Sequence, residues 1–234
     1  MRTVLVTGGT GNLGKAICRL CIQEGDQVIA TYAHNRDGAI ALKEELGDRL
    51  VIEELDLLSE ESITALFSRI DALDVLVNNS GLFTLSDQQD LTSEAWGRVF
   101  DINMKGLFLV TRSALPLLEK SSCPSIINIA SINAIHPGFG QTAHYDASKG
   151  AVVAYTKSLA AEVAPIRVNA VAPGLLDSPH LSDAANPVRV MFESRAPLKR
   201  MVRVEEVASC VSFLSDAQAI TGHVLVVDCG YLVG

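Results

Sequence analysis

Long apolar stretches and runs of basic residues are both missing from this sequence. No apolar stretch reaches the roughly 20 residues that a membrane-spanning helix needs, so we expect no membrane anchor. The 234 residues contain 19 Lys and Arg against 27 Asp and Glu, which gives a net charge of −8. Because binding to nucleic acid depends on clustered positive charge, we expect no nucleic-acid partner.

Cysteine is also scarce, with five scattered residues. An odd and widely spaced set does not suit a disulfide framework, and it favours a reducing compartment. The chain begins with the strand-like MRTVLVTGG rather than with the charged and apolar regions of a secretion signal, so we expect a cytoplasmic location. Cys18 and Cys21 form a CxxC pair in a helical segment, where a three-residue step puts both on one face. We predict buried packing for this pair rather than zinc or redox chemistry.

What the chain does contain is a regular alternation of short β-branched segments and longer amphipathic segments. The first kind is typical of strands and the second of helices. Since the strands are apolar on both faces, the pattern predicts an α/β fold, with a Rossmann-like, doubly wound, parallel seven-stranded sheet and helices on both faces. The length favours a single domain over residues 1–234. The predicted strands are 3–7, 27–32, 49–55, 74–80, 125–131, 166–173 and 223–228, and the predicted helices are 14–25, 36–47, 59–70, 93–120, 146–164 and 203–216.

The segment TGGTGNLG, at residues 7–14, contains four glycines between the first strand and the first helix. Glycine permits positive φ and a close approach of the backbone to a ligand, and a helix N-terminus presents unpaired amides to a pyrophosphate. A tight turn alone would also explain a glycine cluster. The strand before it and the helix after it favour a phosphate site.

Further motifs follow the glycine loop in order: NNSG at 78–81, IN at 102–103, Ser131, YDASK at 145–149, NAVAPG ending at Gly174, and TGHVLVVDCG near the C-terminus. Together these motifs resemble the single-domain branch of the short-chain dehydrogenase/reductase family over essentially the whole chain. The resemblance implies hydride transfer between a nicotinamide and a carbonyl or secondary alcohol. The overall similarity is greatest to 3-oxoacyl-thioester reductases, including the segment PLKRMVRVEEVA.

The resemblance assigns the catalytic roles to Asn103, Ser131, Tyr145 and Lys149. Tyr145 and Lys149 are four residues apart, so a helix puts them on one face, where the ammonium can stabilise a phenolate. A free phenol has a pKa of about 10, so Tyr145 needs nearby positive charge to act near neutral pH. By resemblance, Lys149 also binds the nicotinamide ribose, Ser131 holds the substrate carbonyl, and Asn103 holds a water for proton delivery.

The resemblance also implies a dinucleotide site at the carboxyl ends of the strands. Asn12 stands where single-domain members usually have the middle glycine of the loop, and we interpret it as a local variant whose amide contacts a phosphate or the adjoining helix. The implied cofactor-binding residues, besides Tyr145 and Lys149, are Gly8, Thr10, Gly11, Asn12, Leu13, Gly14, Tyr32, His34, Asn35, Arg36, Asp56, Leu57, Asn79, Ser80, Gly81, Pro173, Gly174, Leu176 and Ser178.

The end of the second strand indicates which dinucleotide binds. NAD-specific members have an acidic residue where this chain has Tyr32, and His34, Asn35 and Arg36 follow as donors for a phosphate. We therefore predict NADP(H). NAD(H) is the less favoured alternative. It stays open because Ala33 directly follows the strand, where NADP-binding members often have a basic residue.

The substrate is expected to be a small-molecule carbonyl or alcohol, bound between the catalytic residues and a loop at about 175–198. A small apolar ketone or 3-oxoacyl thioester is favoured, while a steroid, a polyol or a pteridine stays open. Ser125 and a short turn at 164–165 replace the arginines of members that dock acyl carrier protein, so that partner is doubtful. The loop from Ser131 to Tyr145 is one residue longer than is common, which is expected to reshape the pocket. The predicted pocket residues are Leu82, Phe83, His136, Phe139, His144, Leu175 and Met191.

Three other predictions concern the histidines, self-association and alternative functions. His136 and His144 are interpreted as hydrogen-bonding or surface residues, and no spacing supports a metal site. Helices at 94–120 and 147–164 resemble the family's dimer helices, so a homodimer or homotetramer is expected. A catalytically silent nucleotide-binding regulator or scaffold is one alternative, and an NAD-dependent alcohol dehydrogenase is another. The TGxxGxxG spacing suggests an extended-branch epimerase, but the chain lacks the length for its substrate domain.

Overall fold

A single parallel sheet forms the centre of the molecule. The structure is a computed structural model that describes residues 1–234, apart from the side chain of His180. Across the described residues the sheet has the seven parallel strands that the sequence predicts, and the structure gives their order as β3-β2-β1-β4-β5-β6-β7. The strands are β1 (Thr3–Val6), β2 (Gln27–Tyr32), β3 (Leu50–Glu54), β4 (Val75–Asn78), β5 (Ser125–Ile129), β6 (Arg167–Pro173) and β7 (Val224–Val227).

The order of the strands locates the ligand crevice. Val4 of β1 is in register with Val28 of β2 on one side and with Val75 of β4 on the other. The chain therefore winds outward in both directions from β1 and β4, and a crevice opens at their carboxyl ends. The glycine loop follows β1 and the NNSG segment follows β4, so both motifs lie at this crevice.

Helices cover both faces of the sheet. They are α1 (Asn12–Gln23), α2 (Arg36–Leu46), α3 (Glu60–Phe67), α4 (Ser93–Phe100), α5 (Leu107–Leu118), α6 (Ala143–Glu162), α7 (Pro187–Arg195) and α8 (Val204–Asp216). Residues of α1, α2 and α8 pack with Val4 and Val6 in one core, and residues of α3, α5 and α6 pack with Leu5 in the other. Because successive side chains of a strand point to opposite faces of the sheet, β1 contributes residues to both cores. No helix in the described part of the chain combines the length and apolarity needed to cross a membrane.

Two helical segments differ from the sequence-based expectation. The predicted helix 93–120 is interrupted by a π-helical turn, Asp101–Gly106, which separates α4 from α5. The predicted substrate loop contains α7, which starts at Pro187 after Asn186, whose side chain accepts hydrogen bonds from the amides of Val188 and Arg189. An Asn at the N-cap followed by Pro is typical of the first residues of a helix, and the sequence contains this pair. The apolar face of α7 is too short for hydrophobic periodicity to predict the helix.

The CxxC pair packs into the core, as predicted. Cys18 and Cys21 are both buried on α1. Burial raises the pKa of the Cys21 thiol to about 12 and raises that of Cys18 as well. Both thiols therefore stay protonated and unreactive near neutral pH.

Candidate active site

The glycine loop forms a close-packed cradle at the start of α1. Gly8 has a φ of +62°, in the left-handed region. A Cβ added at Gly14 would lie 2.7 Å from Gly9 Cα and closer still to the Gly8 carbonyl oxygen, so no side chain fits there. The close approach of these backbones leaves the first amides of α1 facing the crevice, which suits the pyrophosphate of a dinucleotide. The main chain of residues 8–14 thus fits the expected group, whereas the Leu13 side chain is buried in the core.

Asn12 reaches across the crevice. Its side-chain amide donates a hydrogen bond to the main-chain carbonyl of Asp177, with an N···O distance of 2.9 Å. The observed partner lies in the loop that follows β6 rather than in the adjoining helix, and the second amide hydrogen stays available, so the phosphate contact stays a prediction. Asn12, Asp177, Ser178 and Arg203 line a pocket of about 360 Å³ at this edge of the sheet.

The ends of β1 and β4 are tied together by polar contacts. The Thr7 hydroxyl accepts hydrogen bonds from the main-chain amides of Asn79 and Ser80, both at 3.0 Å. The Asn79 side chain donates to the carbonyls of Thr7 and Gly8 at 2.9 and 3.1 Å. Asn79 therefore fixes the main chain at the start of the glycine loop. Sequence reasoning did not include Thr7, although it belongs to the TGG motif.

The end of β2 presents polar groups to solvent. Tyr32 is partly buried at the strand end, and His34, Asn35 and Arg36 are exposed. The Asn35 side chain accepts a hydrogen bond from the Gly38 amide at 2.9 Å, as the N-cap of α2. The cap uses only the side-chain oxygen, so the Asn35 amide hydrogens stay available to a phosphate. The role of His34, Asn35 and Arg36 as phosphate donors therefore stays a prediction.

The remaining predicted cofactor residues follow β3 and β6. The Asp56 carboxylate accepts a hydrogen bond from the Leu58 amide at 2.9 Å, which orders the turn that contains Leu57. Leu176 bridges to Val202 and thereby fixes the loop that begins at Pro173 and Gly174 and continues to Ser178. These segments lie beyond the carboxyl ends of their strands, as the crevice requires.

Tyr145 and Ser131 meet between β5 and α6. Burial raises the pKa of the Tyr145 phenol to about 12, and a hydrogen bond with Ser131 opposes the rise. The pKa of Tyr145 therefore moves opposite to the expected direction, because the lost hydration of a phenolate dominates. The Ser131 oxygen accepts a hydrogen bond from the Asn133 amide at 3.1 Å. The Phe83 ring packs edge-on against Tyr145 with centroids 4.9 Å apart.

Lys149 is buried one helical turn after Tyr145. Its Nζ lies 5.9 Å from the centroid of the Tyr145 ring and donates to the Ile129 carbonyl at 2.8 Å. Burial lowers the pKa of Lys149 to about 8. A Cβ added at Gly81 would lie 3.4 Å from this Nζ, so the NNSG segment passes directly beside the ammonium group.

The π-helical turn directs Asn103 into the site. Its Oδ1 accepts from the Leu82 amide at 2.7 Å, and its Nδ2 donates to the Leu82 carbonyl at 3.0 Å and to the Ser148 hydroxyl at 2.9 Å. Both hydrogens of the amide nitrogen are therefore engaged, and Asn103 joins the segment after β4 to α6. A water at Asn103 would have to donate to one of its oxygens, so the expected water stays a prediction. A π-helical turn is a frequent way to present such a side chain, and helical periodicity does not reveal it.

The predicted pocket residues separate into two groups. Phe83 and Met191 are exposed at the rim, and His136 and Phe139 pack near Tyr231 with centroid distances of 6.1 and 6.0 Å. Leu82 and Leu175 are partly buried. His144 is fully buried, and its Nε2 is 2.7 Å from the Thr84 hydroxyl. Its burial corrects the expectation that His144 lines the pocket and confirms the interpretation of a hydrogen-bonding histidine.

The arrangement defines a class of protein. A glycine-rich cradle at a topological switch point lies on the same sheet edge as a tyrosine, a serine and a buried lysine. A hydroxyl pair of this kind can polarise and protonate a carbonyl oxygen. These features are those of a nucleotide-dependent oxidoreductase.

Comparisons with known proteins agree with this class. Residues 9–232 match the family described as "Enoyl-(Acyl carrier protein) reductase". The chain is 35% identical to a cyclopentanol dehydrogenase of Comamonas sp., over 98% of this chain and 96% of the relative. It is 34% identical to a 3-oxoacyl-[acyl-carrier-protein] reductase of Thermotoga maritima, over 99% of this chain and 98% of the relative.

A solved structure gives the same result. The short-chain dehydrogenase/reductase described as a glucose/ribitol dehydrogenase from Brucella melitensis superposes with a TM-score of 0.90 at 31% identity, covering 98% of this chain and 96% of that one. The chain belongs to the short-chain dehydrogenase/reductase family, and it is an oxidoreductase of that family. The family binds a nicotinamide dinucleotide, NAD(H) or NADP(H).

Proposed function

We propose that this protein is an NADP(H)-dependent reductase of small apolar ketones or 3-oxoacyl thioesters, with the corresponding secondary alcohols as products. The observation that carries the proposal is the position of Lys149, whose buried Nζ lies 5.9 Å from the centroid of the Tyr145 ring and donates to the carbonyl of Ile129, two residues before Ser131. Two hydroxyls beside an ammonium group, here those of Ser131 and Tyr145 beside Lys149, can bind and protonate a carbonyl oxygen.

The residues of this chain have distinct parts in the reaction. When bound, a nicotinamide dinucleotide supplies the hydride that the carbonyl carbon accepts. Ser131 donates its hydroxyl proton in a hydrogen bond to the carbonyl oxygen. Tyr145 then transfers its phenolic proton to that oxygen, and its pKa of about 12 keeps the proton on the phenol at neutral pH. The Lys149 ammonium stabilises the phenolate that remains.

Apolar side chains support an apolar substrate. Phe83 covers an edge of Tyr145 and is itself about half exposed, so a substrate that reaches the phenol passes this ring. Ile135 and Met191 are also exposed on the segments after β5 and β6. The relatives named above act on a cyclic alcohol and on a carrier-bound 3-oxoacyl group, according to their names. A compact ketone is therefore the first substrate to test.

The preference for NADP(H) rests on the end of β2. Tyr32 has no negative charge to repel a 2′-phosphate, and the exposed His34 and Arg36 supply donors for one. NAD(H) is the alternative cofactor. We propose that the enzyme is a homodimer or homotetramer, as expected from the resemblance of its long helices to dimer helices.

The cofactor is tested by the thermal stability of the protein with NADPH, with NADH and with neither. A ligand that binds the native state raises the melting temperature with the logarithm of its concentration over its Kd. We expect the larger rise with NADPH, and replacement of Arg36 by Ala should reduce that rise. Arg49→Ala serves as a control, because Arg49 is an exposed arginine in the short turn just before β3, at the opposite edge of the sheet from the crevice. A larger rise with NADH would overturn the cofactor preference.

The catalytic assignment is tested by Tyr145→Phe. General acid catalysis contributes about 10²- to 10⁴-fold, so we expect a loss of that order in kcat for cyclopentanone and acetoacetyl-coenzyme A with NADPH binding retained. Tyr155→Phe removes a phenolic hydroxyl from the same helix and should leave kcat unchanged. If wild-type protein binds NADPH and reduces neither these nor any other ketone in a broad screen, the regulator or scaffold alternative replaces the enzyme.

A further inference from the structure

The carboxylate of Asp146 gathers the loop between β5 and α6. Its Oδ1 accepts a hydrogen bond from the Asn133 side chain at 2.7 Å, and its Oδ2 accepts from the Gly138 amide and the Thr142 hydroxyl, both at 3.0 Å. All three donors belong to the loop, and Asp146 belongs to the first turn of α6, next to Tyr145. One side chain therefore fastens the loop to the catalytic helix.

The loop is tightly packed around this carboxylate. A Cβ added at Gly138 would collide with the Thr142 hydroxyl and the Asn133 amide nitrogen. The return of the loop into α6 passes through Gly140 and Gln141, with φ values of 91° and 57°. Because left-handed backbone is costly for a residue such as Gln141, the surrounding contacts must stabilise this conformation. The Gln141 carbonyl accepts a hydrogen bond from the Ser86 amide at 2.9 Å, and the next residue, Thr142, donates from its hydroxyl to Asp146.

A chain of contacts leads from Asp146 to the catalytic serine. Asp146 holds the side chain of Asn133, and the main-chain amide of Asn133 donates to the Ser131 oxygen at 3.1 Å. This amide occupies one lone pair of Ser131 and so restricts the directions in which the hydroxyl proton can point. The direction of that proton therefore depends on where Asn133 stands, and hydrogen bonds to a carboxylate are stronger than those between neutral groups.

We propose that Asp146 is a positioning residue that acts through Asn133 to orient Ser131 and to hold the loop 132–142 as a rigid wall of the substrate site. The proposal rests on the proposed function, since it assigns Ser131 to the substrate carbonyl. The restrained loop lies between Ser131 and Tyr145, where this chain has one residue more than is common in the family.

The test compares Asp146→Ser with Asp146→Asn, using cyclopentanone and acetoacetyl-coenzyme A as probes. Serine is too short to reach all three donors, so kcat/KM should fall on the order of 10- to 100-fold while the Kd for NADPH stays unchanged. Asparagine can accept from Gly138 and Thr142 with its oxygen and donate to a turned Asn133 amide with its nitrogen. Asp146→Asn should therefore recover most of the lost kcat/KM. Glu162→Gln removes an exposed carboxylate from the same helix and is the matched control.

Asn133→Ala tests the route of the effect. This variant breaks the contact to Asp146 but keeps the main-chain amide, so we expect a loss in kcat/KM and a combined effect with Asp146→Ser that is smaller than the product of the two separate losses. Effects that multiply would show that Asp146 does not act through Asn133. Unchanged kcat/KM in Asp146→Ser would overturn the positioning role altogether.

Amide hydrogen exchange of the loop gives a readout that needs no activity. We expect the Gly138 amide to exchange at least about tenfold faster in Asp146→Ser than in the wild-type protein, because it loses a hydrogen bond to a charged acceptor. Exchange at Gly138 in Asp146→Asn and Glu162→Gln should stay close to the wild-type rate. Equal exchange in Asp146→Ser would overturn the proposal even if the enzyme is active. If Gly138 exchanges faster in Asp146→Ser but the wild-type protein shows no turnover, the positioning role stands and the proposed function is wrong.

Discussion

The side-chain amide of Asn12 donates to the main-chain carbonyl of Asp177 at 2.9 Å and so joins the two loops that face each other across the crevice. Asn12 is the first residue of α1, and Asp177 lies in the segment after β6 that leads to α7. The residue that interrupts the usual glycine spacing is therefore a link between the cradle and the opposite wall. A glycine at this position could not make the contact.

The contact predicts graded effects of two substitutions at Asn12. Asn12→Ala removes one exposed hydrogen bond and should raise the Kd for NADPH about two- to tenfold. Asn12→Asp sets a carboxylate against the Asp177 carbonyl and the cofactor phosphates, so the rise should be larger and should shrink with added salt. An acidic side chain is favourable in the first turn of a helix, so the fold should tolerate it. Fluorescence titration with NADPH measures both Kd values, and identical values in all three proteins would refute the link.

Gly14→Ala should damage the cradle. The new Cβ would lie 2.7 Å from Gly9 Cα. The Gly9 amide donates a hydrogen bond to the Thr31 carbonyl of β2, so this backbone cannot move away without weakening that bond. We expect a loss of about 1–3 kcal/mol in the free energy of unfolding and loss of the NADPH-induced rise in melting temperature. Gly150→Ala is the matched control, since its Cβ would meet no atom within 4 Å. That control should gain about 0.5–1 kcal/mol in urea unfolding, because Ala is the better helix former.

Burial of Lys149 predicts a pH dependence of stability. Its pKa is about 8 in the folded protein and 10.5 in the unfolded chain, so between these values the unfolded chain binds more protons and stability rises with pH. Relative to Lys149→Met, the wild-type free energy of unfolding should increase by about 2 kcal/mol between about pH 7 and pH 9.5. Tyr145 titrates above this window. Urea unfolding of both proteins across this range measures the difference, and a constant difference would contradict the depressed pKa.

Thr84→Val should destabilise the fold through His144. The imidazole is fully buried, and in the described structure its Nδ1 has no hydrogen-bond partner, so Nε2 depends on the Thr84 hydroxyl. Valine keeps the shape but removes this partner, which should cost about 1–3 kcal/mol in the free energy of unfolding. Ser86→Ala, in the same loop, is the control and should change stability by less than about 0.5 kcal/mol. A shift of the same size in both variants would show that His144 does not depend on Thr84.

Much of the fold could be read from local patterns. The seven strands, their parallel direction and the helices on both faces follow from hydrophobic periodicity and from the alternation of elements, whereas the order of the strands comes from the structure. The glycine loop and the YDASK segment were recognisable because their residues are close together in the sequence. Periodicity failed where the backbone leaves a regular helix, at the π-helical turn Asp101–Gly106, and where a helix is short, at α7.

The sequence by itself determined the class of fold, the family and the set of candidate catalytic and cofactor-binding residues. Only the tertiary structure decided what several of these residues do. Asn12 finds its partner 165 positions away, and His144 is enclosed by a loop 60 positions earlier. The direction of the Tyr145 pKa shift likewise depends on how much water its surroundings exclude. The physical reason is that periodicity and turn signals arise from neighbouring residues, whereas hydrogen-bond partners and desolvation depend on how distant loops pack together.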